Sequence, residues 1–218
     1  MASVKANPAK MGRPRSFCED EALNAAMRVF WEKGYEGATL SDLTDAMGIN
    51  RSSMWAAFGD KEDLFKKAFG RYINTYQRYM REALEKPTIR EVIESSLRST
   101  VEFLSTPGNP KGCLSVHGAL AAGDEADSIK QWLIHSRNHG LALARKRFEQ
   151  EKKSGDLGDD VDPAALTRYV AALIQGLGVQ HASGATKPEL MKVVDIALHS
   201  MGYLHEGRHS NRKENQAH

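Results

Sequence analysis

Arg51, Ser52 and Ser53 form a polar run at the start of a short predicted helix. A guanidinium can donate two hydrogen bonds to the edge of a guanine, and serine hydroxyls can bond to base edges or to phosphates. Trp55 and Lys61 follow this run, and each offers an N–H donor for a phosphate oxygen. These residue types in this order indicate contact with nucleic acid.

The stretch that must position these side chains is Thr39–Phe65, with the sequence TLSDLTDAMGINRSSMWAAFGDKEDLF. Gly48 divides it into two short helices, because glycine readily takes the left-handed conformation that ends a helix. Three successive helices have suitable N-caps, which are Thr39 or Ser41 for the first, Asn50 for the second and Asp60 for the third. Two short helices around a glycine turn are typical of a helix-turn-helix unit, whose second helix enters the major groove.

This stretch resembles the DNA-binding signature of the tetracycline-repressor (TetR/AcrR) family of bacterial transcription regulators, and the resemblance runs from about Arg13 to Tyr72. One departure is Trp55, where the family usually has tyrosine, although an indole N–H can still donate to a phosphate. The resemblance implies a three-helix DNA-binding domain at residues 16–72. It also implies a larger helical domain at residues 73–206 that binds a ligand and dimerises.

The family motif, followed residue by residue, implies that Arg51, Ser52 and Ser53 face base edges. It also implies that Thr39, Trp55 and Lys61 contact phosphates. Residues 1–15 are polar and basic, and beside such a unit we expect a flexible arm that reaches phosphates or the minor groove. The alternative for this arm is an ordinary untidy terminus. The predicted DNA-binding set is Arg13, Arg15, Thr39, Asn50, Arg51, Ser52, Ser53, Trp55 and Lys61.

The composition is that of an ordinary globular protein, with 218 residues, 41% hydrophobic residues and a net charge of +2. Cys18 and Cys113 are far apart and form no disulfide framework, which fits a reducing compartment. No apolar run approaches the roughly 20 residues of a membrane span. We therefore expect a soluble cytoplasmic protein with no membrane partner, and a disordered polar tail at residues 207–218.

Apolar residues recur at helical spacing along the chain, and no strand pattern is found, so we predict an all-α fold. The helices predicted outside the helix-turn-helix are Glu19–Lys33, Lys61–Leu84, Ile89–Ser105, Lys111–Ala122, Glu125–Ser154, Asp162–His181 and Pro188–Leu204. The residues expected to face inward on the longest of them are Ile129, Trp132, Leu133, Leu141, Leu143, Ala144 and Phe148.

The last two predicted helices carry more apolar surface than one flank of a small domain needs, and the resembling family dimerises at this place. We therefore expect a homodimer with a four-helix interface and a pseudo-palindromic operator. The predicted interface residues are Leu166, Tyr169, Leu173, Leu177, Leu190, Val194, Leu198 and Met201.

A small-molecule effector site is expected in the C-terminal domain, where aromatic and aliphatic residues accompany a few polar groups. The predicted lining is Phe103, Cys113, His117, Trp132, His135 and Gln175. Any of these residues can equally be plain core. Cys113 and His117 lie four residues apart on one helix face, so they indicate either a reactive thiol beside an imidazole or a buried cysteine packing as a small apolar group.

Metal binding and catalysis have little support in the sequence. His135 and His139 also lie four residues apart, but nothing joins them to the first pair or to a carboxylate. A nucleophile elbow, a phosphate-binding glycine loop and paired carboxylates are lacking, so we expect neither a cofactor nor a metal. We favour a dimeric, ligand-released repressor. The alternatives are a repressor that senses electrophiles or oxidants through Cys113, a helical interaction module without DNA binding, and an enzyme.

Overall fold

The computed structural model describes residues 17–117 and 127–201, and all regular structure in these ranges is helical. The prediction of an all-α fold is confirmed. The helices are α1 (Glu19–Gly37), α2 (Leu40–Met47), α3 (Arg51–Phe58), α4 (Lys61–Tyr76), α5 (Arg78–Leu84), α6 (Ile89–Leu104), α7 (Leu114–His117), α8 (Asp127–Ser154), α9 (Pro163–Ala182) and α10 (Lys187–Ser200). Across these described ranges, no helix is long and apolar enough to cross a membrane.

The first four helices form a compact unit around α1. Helix α1 packs against α2 and α4, and its buried Phe30 meets the ring of Phe65 edge-on at 5.0 Å. The backbone leaves helical geometry at Gly34, where the sequence predicted the end of the helix, and one further turn runs to Gly37. The two short helices α2 and α3 are thereby held against a fixed support.

The predicted helix Lys61–Leu84 is wrong as a single element, because the structure divides it into α4 and α5. Gln77 stands between the two helices with φ −106° and ψ 17°, outside helical geometry. Its side-chain amide donates to Ser115 Oγ at 3.1 Å and lies 3.5 Å from Cys113 Sγ. These tertiary contacts outweigh the helical propensity that the sequence suggests.

A buried aromatic cluster joins the first four helices to the rest of the chain. The ring of Trp31 lies 4.9 Å from that of Tyr72, 5.4 Å from that of Tyr76 and 5.6 Å from that of Phe103 on α6. The Trp31 indole N–H also donates a buried hydrogen bond of 3.1 Å to the carbonyl of Gly112. The hydrophobic core is therefore continuous across the predicted domain boundary at residue 72. The boundary itself stays a prediction.

The C-terminal helices pack around α6 and α9. Helix α6 contacts α5, α9 and α10, while α8 lies along α9. Arg147 on α8 donates to the carbonyl of Leu84, the last residue of α5, and to that of Lys86 just beyond it, and it also pairs with Glu151. These bonds fix the long helix α8 against the helix that continues from the DNA-binding unit.

The prediction that Leu143 faces inward is wrong, since 47% of its surface is exposed. The buried stripe of α8 runs through Ile129, Leu133 and Phe148, and Leu143 falls outside it. The weak amphipathic pattern of this polar helix allows more than one inward face to be drawn from the sequence.

Parts of the prediction lie outside the described residues. These are the basic arm at 1–15 with Arg13 and Arg15, residue 16 of the predicted DNA-binding domain, residues 118–126 and 202–206 of the predicted second domain, and the tail at 207–218.

The two leucines of α8 give a matched test of this register. Leu133→Ala should lower the free energy of unfolding by about 2–5 kcal/mol, because it removes a fully buried side chain and leaves a cavity. Leu143→Ala should change it by less than about 0.5 kcal/mol, as is usual for surface positions. Chemical denaturation of both variants measures the difference. Equal losses would contradict the register.

Candidate nucleic-acid interface

The turn between α2 and α3 is built by caps that the sequence predicted. Thr39, and not Ser41, caps α2 by forming a reciprocal capping box with Asp42, and Gly48 ends that helix with φ 65°. Asn50 caps α3 by accepting a hydrogen bond of 2.8 Å from the backbone N–H of Ser53. Asp60 does the same for α4 through Asp63. Each of these caps fixes where a helix begins, so the angle between α2 and α3 is set locally.

Helix α3 is seated on the core by its buried residues Met54 and Phe58. The ring of Phe58 packs against that of Phe17 at 6.3 Å, and Lys67 donates a hydrogen bond of 2.8 Å to the Phe58 carbonyl. An eight-residue helix is marginal in isolation, so these contacts rather than its own propensity hold it. Lys67 was not predicted to support α3, because it lies nine positions from its partner and gives no local signal.

The opposite face of α3 is open. Arg51 and Ser52 are exposed there, Trp55 exposes 60% of its surface, and Ser53 is half-buried. The Ser52 hydroxyl donates to Asn50 Oδ1 at 2.7 Å, so the side chains of Asn50 and Ser52 are already engaged in the cap. Arg51 and Trp55 are thus the large side chains best placed to reach a ligand from this face.

Two predicted phosphate contacts flank α3 and have partners of their own. The Lys61 ammonium lies 4.7 Å from the centre of the Tyr35 ring, and burial lowers the pKa of this lysine. The Thr39 hydroxyl donates to Asp42 at 2.8 Å. A hydrogen bond from Lys33, followed by those from Thr39, lowers the pKa of Asp42 to about 2. Lys33 therefore neutralises the carboxylate of Asp42 beside the exposed face of α3. This role of Lys33 could not be predicted from the sequence.

The predicted effector residues are only partly brought together. Phe103 is buried in the aromatic cluster, and half-buried Cys113 lies with its Sγ 3.2 Å from the Tyr72 hydroxyl. Trp132 packs instead on α4, 5.2 Å from the ring of Phe69. The structure does not bring His135 and Gln175 to this cluster. Both are exposed, because each lies two positions from a buried leucine of its own helix and so points the other way.

Only the cysteine of the Cys113/His117 pair has its side chain among the described residues, and the side chain of His117 lies outside them. Within residues 17–117 and 127–201, no group of three or more histidines, cysteines and carboxylates is placed to hold a metal ion.

The predicted dimer residues divide into two groups. Leu166, Leu177, Leu190, Val194 and Met201 are buried inside the protomer. Leu173 and Leu198 are half-buried, and Tyr169 is exposed. Large apolar side chains that the prediction did not include, Val179, Val193 and Ile196, are exposed on α9 and α10. The interface itself stays a prediction. The exposed apolar residues of α9 and α10 are the ones available to form it.

The exposed face of α3 yields a mutational test. Arg51→Ala should cost about 1–3 kcal/mol in affinity for the preferred duplex and relax one base position, because a base-edge contact is lost. Lys61→Ala should weaken all duplexes alike and reduce the salt dependence by about one ion, because a phosphate contact is lost. Fluorescence anisotropy over a panel of duplexes and salt concentrations measures both effects. A change of base preference in Lys61→Ala but not in Arg51→Ala would show that the assignment is wrong.

The sequence of this chain is similar to those of known bacterial regulators. The sequence model for "Bacterial regulatory proteins, tetR family" matches residues 22–68, which span most of α1 to α4. The chain is 27% identical over 189 residues to the transcriptional repressor ComR of Escherichia coli K12, covering 86% of this chain and 90% of ComR. It is 31% identical over 196 residues to the regulator YezE of Bacillus subtilis 168, covering 86% and 98%.

A solved structure agrees with these relatives along almost its whole length. It is a cysteine mutant of the TetR-family regulator CifR with a 26-bp operator DNA, 39% identical, with a TM-score of 0.82 and coverage of 86% of this chain and 98% of CifR. Helix α3, which presents Arg51 and Trp55, is the second helix of the helix-turn-helix. The chain belongs to the TetR family of bacterial transcription regulators, and it is a DNA-binding regulator rather than an enzyme.

Proposed function

We propose that this protein is a dimeric cytoplasmic repressor that leaves a pseudo-palindromic operator when a small molecule binds among its C-terminal helices. The observation that carries the proposal is the buried contact of Trp31 with both α4 and Gly112. Since α1 and α4 hold the recognition helix, a shift around Gly112 reaches α3 through packed side chains. A change near residues 112–115 therefore alters the position of the DNA-reading surface.

The outer face of α9 and α10 supports the dimer. It exposes Tyr169, Val179, Val193 and Ile196, whereas single surface apolar residues are scattered elsewhere. An apolar groove also runs between the two helices. It is lined by Ala172, Leu173, Gly176, Leu177, Gln180, Gly184, Ala185, Glu189, Leu190 and Val193. A two-fold axis along this face would pair both helices with their copies and present two recognition helices to one side of a duplex.

A single charge on this face tests the dimer. Ile196 exposes 67% of its surface, so Ile196→Asp should leave the protomer folded while burying an unpaired carboxylate in the dimer. We expect monomers in sedimentation and a large loss of operator affinity. Leu143→Asp, on exposed α8 surface, is the matched control and should stay dimeric.

Selection of bound fragments from a random DNA pool gives the companion measurement. The wild type should enrich a pseudo-palindrome with half-sites about 34–36 Å apart or a multiple of that distance. A stable wild-type monomer at micromolar concentration, or enrichment of a single asymmetric site, would contradict the dimeric repressor.

The effector site is supported by the polar cluster at the joint between α4 and α5. Cys113, Tyr72 and Gln77 meet there, beside the aromatic side chains that contact Phe103. Burial chiefly raises the pKa of the Tyr72 phenol well above its usual value, so this group stays neutral and can donate or accept a hydrogen bond. A ligand that takes over the bonds of Gln77 would release the residue that separates α4 from α5. The direction of α4 would change with it.

A second candidate function is thiol-based sensing through Cys113, and the contacts of its sulfur favour it. The Tyr72 hydroxyl and the Gln77 amide approach Sγ at 3.2 and 3.5 Å. CifR was itself solved with operator DNA as cysteine mutants. Addition of the thiolate to an electrophilic carbon–carbon double bond forms a C–S bond, and the adjacent carbon takes a proton from water. The added group would displace both hydrogen-bond partners.

Operator release by N-ethylmaleimide distinguishes the two candidates. Thiol sensing predicts release of the wild type and of Cys18→Ser, whose cysteine is exposed outside the cluster, but not of Cys113→Ser. The measurement is anisotropy of a labelled operator, with mass spectrometry to locate the adduct. Equal release of the wild type and Cys113→Ser would rule out sensing at this thiol and leave a reversible ligand as the mechanism.

A further inference from the structure

Arg137 occupies an unusual place on α8. It follows the fully buried Leu133 by four positions and precedes the buried Phe148 by eleven, so it falls within the stripe that faces the protein interior. Its guanidinium atom Nη1 is buried and has no hydrogen-bond partner in the part of the chain that the structure describes. Burial also lowers the pKa of this group, although an arginine remains charged at neutral pH.

Among the described residues, neither α8 near Arg137 nor the helix α9 that lies along α8 supplies a counter-charge for it. Helix α9, which lies along α8, contains no aspartate or glutamate. Asp127 and Glu149 on α8 are ten and twelve positions away, about 15–18 Å along the helix axis. Glu151 pairs with Arg147, and Glu62 of α4 pairs with Lys66.

Arg137 as a whole is half-buried, but burying one end of a guanidinium without a partner is costly, and a well-packed apolar residue at the same place would usually be more stable. Of the four positions one turn away on α8, Leu133, Ile134 and Leu141 are aliphatic and buried or half-buried, and the fourth is the exposed Gly140. This part of α8 therefore combines one planar positive group with aliphatic side chains on either side of it. A guanidinium binds a carboxylate through two parallel hydrogen bonds, and the aliphatic side chains suit a hydrocarbon body.

We propose that Arg137 is the anion-binding residue of a ligand site on the inner face of α8, and that the ligand is a carboxylate with an aliphatic body. This proposal adds the charge and shape of a bound molecule to the repressor function but does not require that function. The present proposal is tested by ligand binding at Arg137. The repressor function is tested by release from the operator, which requires coupling through α4.

Octanoate and 1-octanol are matched probes of this site, since they share the aliphatic chain and differ in the negative group. Calorimetric titration of the full-length wild-type protein should show binding of octanoate and much weaker binding of octanol. Arg137→Met should raise the Kd for octanoate about tenfold or more, because a charge-assisted pair of hydrogen bonds is lost. Arg137→Lys should give an intermediate Kd. Lys146→Met, which removes an exposed charge on the same helix, should bind as the wild type does.

Thermal unfolding without ligand gives an independent measurement. Arg137→Met should melt at or above the wild-type temperature, because it removes a partly buried guanidinium whose Nη1 has no partner. Three results would overturn the proposal: equal octanoate affinity in the wild type and Arg137→Met, no preference of the wild type for octanoate over octanol, or a much lower melting temperature of ligand-free Arg137→Met. The last result would mean that a protein group already pairs with Arg137. Operator binding by the ligand-free wild type, measured in parallel, tests the repressor function separately.

Discussion

The buried indole of Trp31 is the contact on which the rest of the structure depends. Its ring packs against α4 and α6 at the same time, and its N–H holds the carbonyl of Gly112. Helix α3 is too short to hold its own orientation, so it takes its position from α1, α2 and α4. Trp31 of α1 contacts both α4 and α6, so the helices that support α3 and the C-terminal helices share one packed interior. A packed interior transmits small displacements, since it has few voids to absorb them.

Capping and recognition use neighbouring side chains in different ways. Asn50 and Ser52 hydrogen-bond to each other and close the start of α3, so their main contribution is a fixed helix axis. Arg51 and Trp55 project from that axis into solvent. Only a helix with a well-defined start can present an arginine to one particular base. The polar residues at its start therefore act together, although few of them need to touch the DNA.

Local signals were sufficient to predict the helix-turn-helix. The break between α4 and α5 and the buried face of α9 depend on long-range contacts, so they could not be predicted in the same way. Thr39, Gly48 and Asn50 act within a few residues of themselves, and their roles follow from residue type and spacing. The break at Gln77 depends on Ser115 and Cys113, nearly forty positions away, and has no local signature. Helix α9 is apolar on most of its faces, so its periodicity could not separate Leu177, which is buried in the protomer, from exposed Val179.

Gly112 has a further consequence for how this regulator can change. Its carbonyl accepts from Trp31, its N–H donates to His181 Nδ1 at 3.2 Å, and its φ of 82° suits glycine alone. The connection from Trp31 of α1 to His181 of α9 thus runs through the main chain of Gly112, a residue without a side chain. In the mechanism proposed above, signal transmission is therefore separable from signal recognition. Side chains around Gly112 could be exchanged to detect a different molecule while the main-chain connection to the recognition helix stays intact.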